Sequence, residues 1–255
     1  RFTRYVISNG SIEHRIRMHM GIYKITERDI DVSIMFDRAQ LALASVKNEY
    51  NKHIAFYDDK MRDQVMWDQM ISAQIEKAIE EKQVHPYLQP IVDCDGKIIG
   101  AEALIRWDHP KEGFLQPETF IPTFERNGMI ADLDKYIWRS ACEILSTWTG
   151  KKSNLFISIN ISPKDFLFMD VFAEINSLIK EFKIEPSRLR IEITETVMMT
   201  EVENRMAILN RFRESGFIVE MDDFGRGYSS LNQLKDMPLD VLKIDMKFLS
   251  SSKNS

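Results

Sequence analysis

From Val84 onward the chain alternates short apolar runs with longer stretches of helical periodicity, and few folds accept that pattern. The runs at 155–160, 189–193, 217–221 and 241–244 are short and rich in Ile, Val, Leu and Phe, as buried strands are. Between them lie helical stretches at 163–169, 171–182, 201–215 and 229–236. Strands spaced by helices need crossover connections, so the pattern predicts an α/β layer fold or a (β/α) barrel with parallel strands. A hairpin precedes it: 84–92 and 97–107 flank Asp95-Gly96, a strong two-residue turn signal. Helices are predicted at 117–127, opened by a proline and closed by Gly128, and at 131–149, closed by Gly150.

The first 70 or so residues read differently. Residues 15–24 alternate as one strand, 31–48 form an amphipathic helix, and a short strand surrounds Ile54 and Phe56. The stretch 58–83 carries Met61, Val65, Ile71, Ile75 and Ala78 at helical spacing, with a charged opposite face suited to a connector.

Each apolar strand of the second part carries, at or near its end, a polar residue that a plain core strand does not need. These are Glu102, Asn160, Glu192 with Glu195, Asp222 with Asp223, and Lys243 with Asp245. In a parallel barrel such positions converge on one mouth, where active sites form. Taken singly, a strand-end carboxylate is more often a helix cap or a loop ion pair. Five successive strands with the same feature outweigh that. Several carboxylate and amide oxygens in one place repel each other unless a hard divalent cation sits among them, and oxygen-only donors suit Mg²⁺ or Mn²⁺. Such a cation polarises a phosphoryl oxygen and lowers the pKa of a water. Lys243 has the chemistry to orient that water, take its proton or neutralise developing charge.

Composition narrows the partners. The net charge of −5 offers no basic footprint for a DNA or RNA polymer, although a small anion can enter a locally positive pocket. The two cysteines, Cys94 and Cys142, form no zinc spacing and fit a reducing cytoplasm, and the five histidines show no ligand pattern. No apolar run approaches the roughly 18 residues of a membrane span.

The local wording of these motifs resembles the EAL domain family. Tyr87-Leu88-Gln89-Pro90, Ala101-Glu102-Ala103-Leu104-Ile105-Arg106, Ile159-Asn160-Ile161-Ser162, Glu192-Ile193-Thr194-Glu195, Asp222-Asp223-Phe224-Gly225 and Leu242-Lys243-Ile244-Asp245 occur in the family's order. The resemblance implies a TIM-like (β/α) barrel that uses Mg²⁺ or Mn²⁺, two per site, to linearise cyclic di-GMP to pGpG, with Ca²⁺ inhibitory. It implies metal ligands at Glu102, Asn160, Glu192, Asp222 and Asp223, with Asp223 engaging the second metal. Glu102, Asp223 and Lys243 become the catalytic group, and Gln89 and Arg106 the substrate side. Glu195 is the second glutamate of its motif. Residues 224–230 match a mobile loop that leads to a homodimer interface, with Arg226 where the family carries a small threonine.

Met18-His19-Met20-Gly21-Ile22-Tyr23 and Asp37-Arg38-Ala39 are similar to the C-terminal part of a GGDEF domain, without its signature loop. The expected division is a GGDEF-like α+β remnant at 1–57, a connecting helix at 58–83 and an EAL domain at 84–255. Further strand–helix units, with another active-site glutamate, are expected beyond residue 255. Two other functions remain beside hydrolysis: a cyclic di-GMP receptor without turnover, and an interaction domain.

Overall fold

A computed structural model of the chain describes residues 5–9, 12–16, 18–26, 30–47, 49, 51–225 and 235–245. The expectations at Arg226, for most of the loop 224–230 and for most of the helix 229–236 lie outside these residues. The chain divides into two compact units, Arg1–Ala73 and Gln74–Ser255.

In the first unit β1 (Tyr5–Asn9) and β2 (Ile12–Ile16) form an antiparallel hairpin. β3 (Met20–Ile22), α1 (Val32–Ala44) and β4 (Ile54–Phe56) then make a small unit in which β4 runs parallel to β3. The sequence predicted one strand over 15–24. The chain instead leaves the first hairpin at Ile16 and starts a second sheet at Met20, because β3 has to pair with β4. Asp31 caps α1 by accepting from the Ser33 amide at 2.7 Å. Gly21 lets the helix lie directly on the strand, since a Cβ there would stand 2.0 Å from the Ala39 carbonyl oxygen. α2 (Asp59–Glu80) begins in this unit and ends in the next.

The second unit contains β5 (Val84–Val92), β6 (Ile98–His109), β7 (Gly113–Leu115), α3 (Pro117–Asn127) and α4 (Ile130–Ser146). There follow β8 (Phe156–Asn160), α5 (Asp165–Phe168), α6 (Val171–Phe182), β9 (Leu189–Thr194), α7 (Val202–Glu214), β10 (Val219–Phe224) and β11 (Val241–Ile244). The main sheet runs β11-β10-β9-β8-β6-β5, and β7 pairs with β6. β6, β8, β9, β10 and β11 are parallel to one another, and the β5–β6 hairpin is antiparallel, as its Asp-Gly turn predicts. Among the described residues, β5 and β11 are the edges.

Strand pleating separates two kinds of residue. Ala103, Ile157, Ile159, Ile191, Ile193, Val219 and Met221 belong to one buried apolar cluster, which also takes in Trp138, Leu145, Ile175, Leu209 and Phe212 of the helices. The alternate positions, Glu102, Ser158, Asn160, Arg190, Glu192, Glu220 and Asp222, therefore share the other face. On that face Gly100 pairs with Phe156 across β6 and β8, and a Cβ on Gly100 would lie 2.6 Å from the Phe156 ring. The ring cannot retreat freely, because the Arg190 guanidinium lies 3.3 Å from its centroid. Gly100→Ala is expected to lower stability by about 1–3 kcal/mol, as overpacking does. The check is a lower urea midpoint with an unchanged m value.

Three elements depart from the sequence pattern. The helix predicted over 163–169 shrinks to α5, one turn long. A 3₁₀ segment, Glu195–Met199, follows β9 directly, so that Glu195 turns back towards the sheet. The strand predicted over 217–221 starts later and runs on through Asp222 and Asp223, with an irregularity between Met221 and Phe224 and with Asp223 at φ 55°.

Candidate active site

Four strands deliver the central cluster. Glu102 comes from β6, Asn160 from the last residue of β8, Glu192 from β9 and Lys243 from β11. The Asn160 amide donates from Nδ2 to Glu102 Oε1 at 3.0 Å. Its backbone is fixed from the helix side, where Trp138 Nε1 donates to the Asn160 carbonyl at 3.0 Å. Lys243 Nζ donates to Glu192 Oε2 and stands 3.7 Å from Glu102 Oε2. Glu192 is fully buried, and its Oε1 has no hydrogen-bond partner.

The electrostatics follow from that burial. Loss of solvent, reinforced by the negative charges of Glu102 and Asp222 and opposed by Lys243, pushes the Glu192 carboxyl up to about 8. For Lys243 burial acts downwards, but Glu192, Glu102 and Glu220 together hold the ammonium above its ordinary value. Glu102 and Glu192 thus share the Lys243 ammonium. Among the described residues, no three acidic, histidine or cysteine side chains are gathered in a way that holds a metal. The donor set still suits a hard cation: carboxylate oxygens from Glu102, Asp222 and Glu192, the last with its buried Oε1 lacking a hydrogen-bond partner, and an amide oxygen from Asn160.

The other predicted site residues are spread around this cluster. Asp222 is close enough for its charge to act on Glu192, whereas Asp223, next along β10, adopts the left-handed conformation. Gln89 pairs with Glu102 across the β5–β6 hairpin and is exposed. Arg106 lies four residues beyond Glu102 on the same face of β6, and its guanidinium bonds the Ile105 carbonyl at 2.8 Å. Glu195 is buried, and its Oε1 accepts from the Gly225 amide at 2.9 Å, which ties the end of β10 to the turn after β9.

Two groups escaped the sequence reading. Glu220, Arg190 and Ser158 form a bonded set on the same sheet face, with Arg190 Nη1 2.7 Å from Glu220 Oε1 and Ser158 Oγ 2.9 Å from Glu220 Oε2. The signal was present, since Glu220 and Arg190 each stand two residues before a predicted ligand in an otherwise apolar strand. Asp134 and Asp165 lie close enough to act on each other electrostatically, and burial raises both, Asp165 to about 6. Asp134 also lines a cavity of about 560 Å³ with Leu104, Ile121, Asn160 and Thr194. Nothing in the sequence pairs Asp134 with Asp165, because the contact joins α4 to α5.

Comparison with known proteins places the fold in a family. The family model described as EAL domain matches residues 72–255, which is most of the chain. The chain belongs to the EAL domain family. The protein sll1895 of Synechocystis is 36% identical over 232 residues, covering 90% of this chain and 33% of that protein. Cyclic di-GMP phosphodiesterase PdeR of Escherichia coli is 28% identical over 240 residues, covering 94% of this chain and 36% of PdeR. This EAL domain and its N-terminal unit thus span about a third of the length of these curated relatives. Among solved structures, the PaMucR phosphodiesterase in complex with c-di-GMP matches with a TM-score of 0.67 and 31% identity, covering 73% of this chain and 76% of that one. The α/β fold is therefore of EAL type. No helix among the described residues is long and apolar enough to cross a membrane.

Proposed function

We propose that this EAL domain hydrolyses cyclic di-GMP to linear pGpG in bacterial second-messenger signalling. The observation that carries the proposal is the convergence of Glu102, Asn160, Glu192 and Lys243 from four strands onto one face, with a buried carboxylate oxygen left over. The relatives named as cyclic di-GMP phosphodiesterases and the complex with that ligand support the choice of substrate.

In this reading Glu102, Asn160, Glu192, Asp222 and Asp223 hold Mg²⁺ or Mn²⁺, two per site. The bound cations supply Lewis acidity to the phosphoryl oxygen and to the attacking water. Gln89 and Arg106 hold the substrate, the guanidinium being suited to a phosphate oxygen. Asn160 and Glu102 fix each other and so set the floor of the site. Lys243 orients the water and meets the negative charge that develops as one P–O bond forms and the other breaks. Water adds to phosphorus, and its protons end on the phosphate and on the departing ribose oxygen. The main sheet is taken to belong to a TIM-like barrel, residues 1–57 to a GGDEF-like remnant around α1, and 58–83 to a connecting helix. The protein is assigned to the cytoplasm, where it pairs as a homodimer through the EAL domain.

The test is direct. The purified full-length protein is incubated with cyclic di-GMP and Mn²⁺, and pGpG is followed by chromatography. Binding without product makes the protein a receptor, and absence of both leaves an interaction domain. With Ca²⁺ in place of Mn²⁺, binding is expected to persist while turnover falls at least about tenfold, because the looser coordination of Ca²⁺ orients water poorly. Equal turnover with the two ions contradicts this.

A further inference from the structure

Glu220 is nearly fully buried on β10, two residues before Asp222. Across the strands it pairs with Glu192 on β9 and with Val241 on β11, so it stands one layer deeper in the sheet than Lys243. Both of its oxygens are engaged. Oε1 takes the Arg190 guanidinium at 2.7 Å, while Oε2 accepts from Ser158 at 2.9 Å and lies 3.6 Å from Lys243 Nζ. Arg190 is in turn pinned on the Phe156 ring. The carboxylate therefore has a fixed position, set by β8 and β9, directly against the Lys243 ammonium.

Among the described residues, Lys243 makes ion pairs with Glu192, Glu102 and Glu220. The proposed function gives the first two to the divalent cation. A cation on those oxygens competes with the ammonium for them and, by its own charge, repels it. Glu220 lies outside that ligand set, with Ser158 and Arg190 already on its oxygens. On stability grounds alone an apolar pair in place of Arg190 and Glu220 would serve about as well, since desolvating two charges offsets most of their attraction. What the pair adds is a negative charge that stays in place when the cation binds.

We propose that Glu220 is a positioning residue, held by Ser158 and Arg190, that keeps Lys243 aimed at the reacting centre when Glu102 and Glu192 are engaged by the cation. The proposal rests on the phosphodiesterase reading above. Its test is the Glu220→Gln variant of the intact chain, which preserves shape and an acceptor for Ser158 but removes the charge. With saturating Mn²⁺, kcat for cyclic di-GMP is expected to fall about tenfold while KM stays within about twofold. In a crystal structure of the Mn²⁺-loaded wild type, Lys243 is expected to remain against the Glu220 carboxylate. In the variant it is expected to be displaced. A kcat within about twofold of wild type, or a wild-type structure in which Lys243 has left Glu220, overturns the proposal. Should Glu220→Gln fail to fold, Ser158→Ala removes only the hydroxyl that aims Oε2 and is expected to lower kcat about threefold at constant KM. Unchanged kcat there is equally fatal. If the wild type turns over no cyclic di-GMP, it is the phosphodiesterase reading that fails, and the Mn²⁺-loaded structure alone still decides where Lys243 is held.

Discussion

Glu102→Ala is expected to reduce cyclic di-GMP turnover by at least about 10³-fold, roughly 4 kcal/mol at the transition state. Glu102 joins two parts of the site. Its Oε1 holds the Asn160 amide at 3.0 Å, and its Oε2 faces Lys243 at 3.7 Å. In the proposed mechanism it also contributes a carboxylate to the cation. Loss of the side chain leaves Asn160 without its partner, removes one counter-charge from Lys243 and weakens the hold on the metal. These effects act on one unit, so they do not add as independent contributions. The loss is expected mainly in kcat, because Gln89 and Arg106, the residues assigned to the substrate, are untouched.

The same substitution separates catalysis from folding. Glu102 raises the proton affinity of Glu192 by like-charge repulsion. At about pH 9, where Glu192 is ionised, removing Glu102 from the metal-free protein relieves a repulsion in the interior and opens only a partly exposed position. Urea unfolding of the metal-free variant at that pH is therefore expected to show a midpoint no lower than that of wild type. Turnover within about tenfold of wild type under saturating Mn²⁺ rejects the role given to Glu102. A collapsed midpoint would instead mark it as a structural residue.

The strands and their order of polar residues were legible because pleating writes itself into sequence: Ile157-Ser158-Ile159-Asn160 and Arg190-Ile191-Glu192-Ile193 alternate between helix-facing and site-facing side chains. Glu102, Asn160, Glu192 and Lys243 stand out in the sequence for that reason. Legibility ends where contacts cross between elements. Glu220 obeys the same alternation, but it lies one layer deeper than the strand ends that mark the mouth of a parallel sheet. The Asp134–Asp165 contact has no local signature, since each aspartate taken alone reads as a helix surface residue. The short strands of the N-terminal unit merge into one in the sequence because residues 15–24 alternate throughout, and alternation does not record which partner a strand takes. Asp223 shows the opposite limit. Its neighbour Asp222 follows the pleat, but the left-handed backbone at Asp223 is set by the irregular pairing of β10 with β11.

In the metal-free state the protein is expected to lose stability as pH rises from about 5 to 9, and Glu192→Gln is expected to abolish much of that slope. The Glu192 carboxyl has an ordinary value of 4.5 and is pushed to about 8 in the folded chain. The folded state therefore binds this proton more tightly than the unfolded state. Its contribution is fully present below the unfolded value and is lost as pH climbs through the folded one, because stability falls with pH wherever the native state holds more protons. A tenfold difference in proton affinity is worth about 1.4 kcal/mol, so the effect across the window is of the order of a few kcal/mol, with Lys243 opposing it. Asp134 and Asp165 are raised as well and tilt both proteins alike, which makes the difference between wild type and variant the informative quantity. Lys243 stays charged throughout this range, so its altered pairing displaces the variant's curve without tilting it. Urea midpoints in a chelating buffer at several pH values give the measurement, and the variant's advantage should grow steadily with pH. A difference that is flat between about pH 5 and 8.5 would show that Glu192 titrates normally. Mn²⁺ provides the complementary result: a cation that binds the ionised carboxylate only in the folded state is expected to raise wild-type stability most at high pH and to do little for Glu192→Gln.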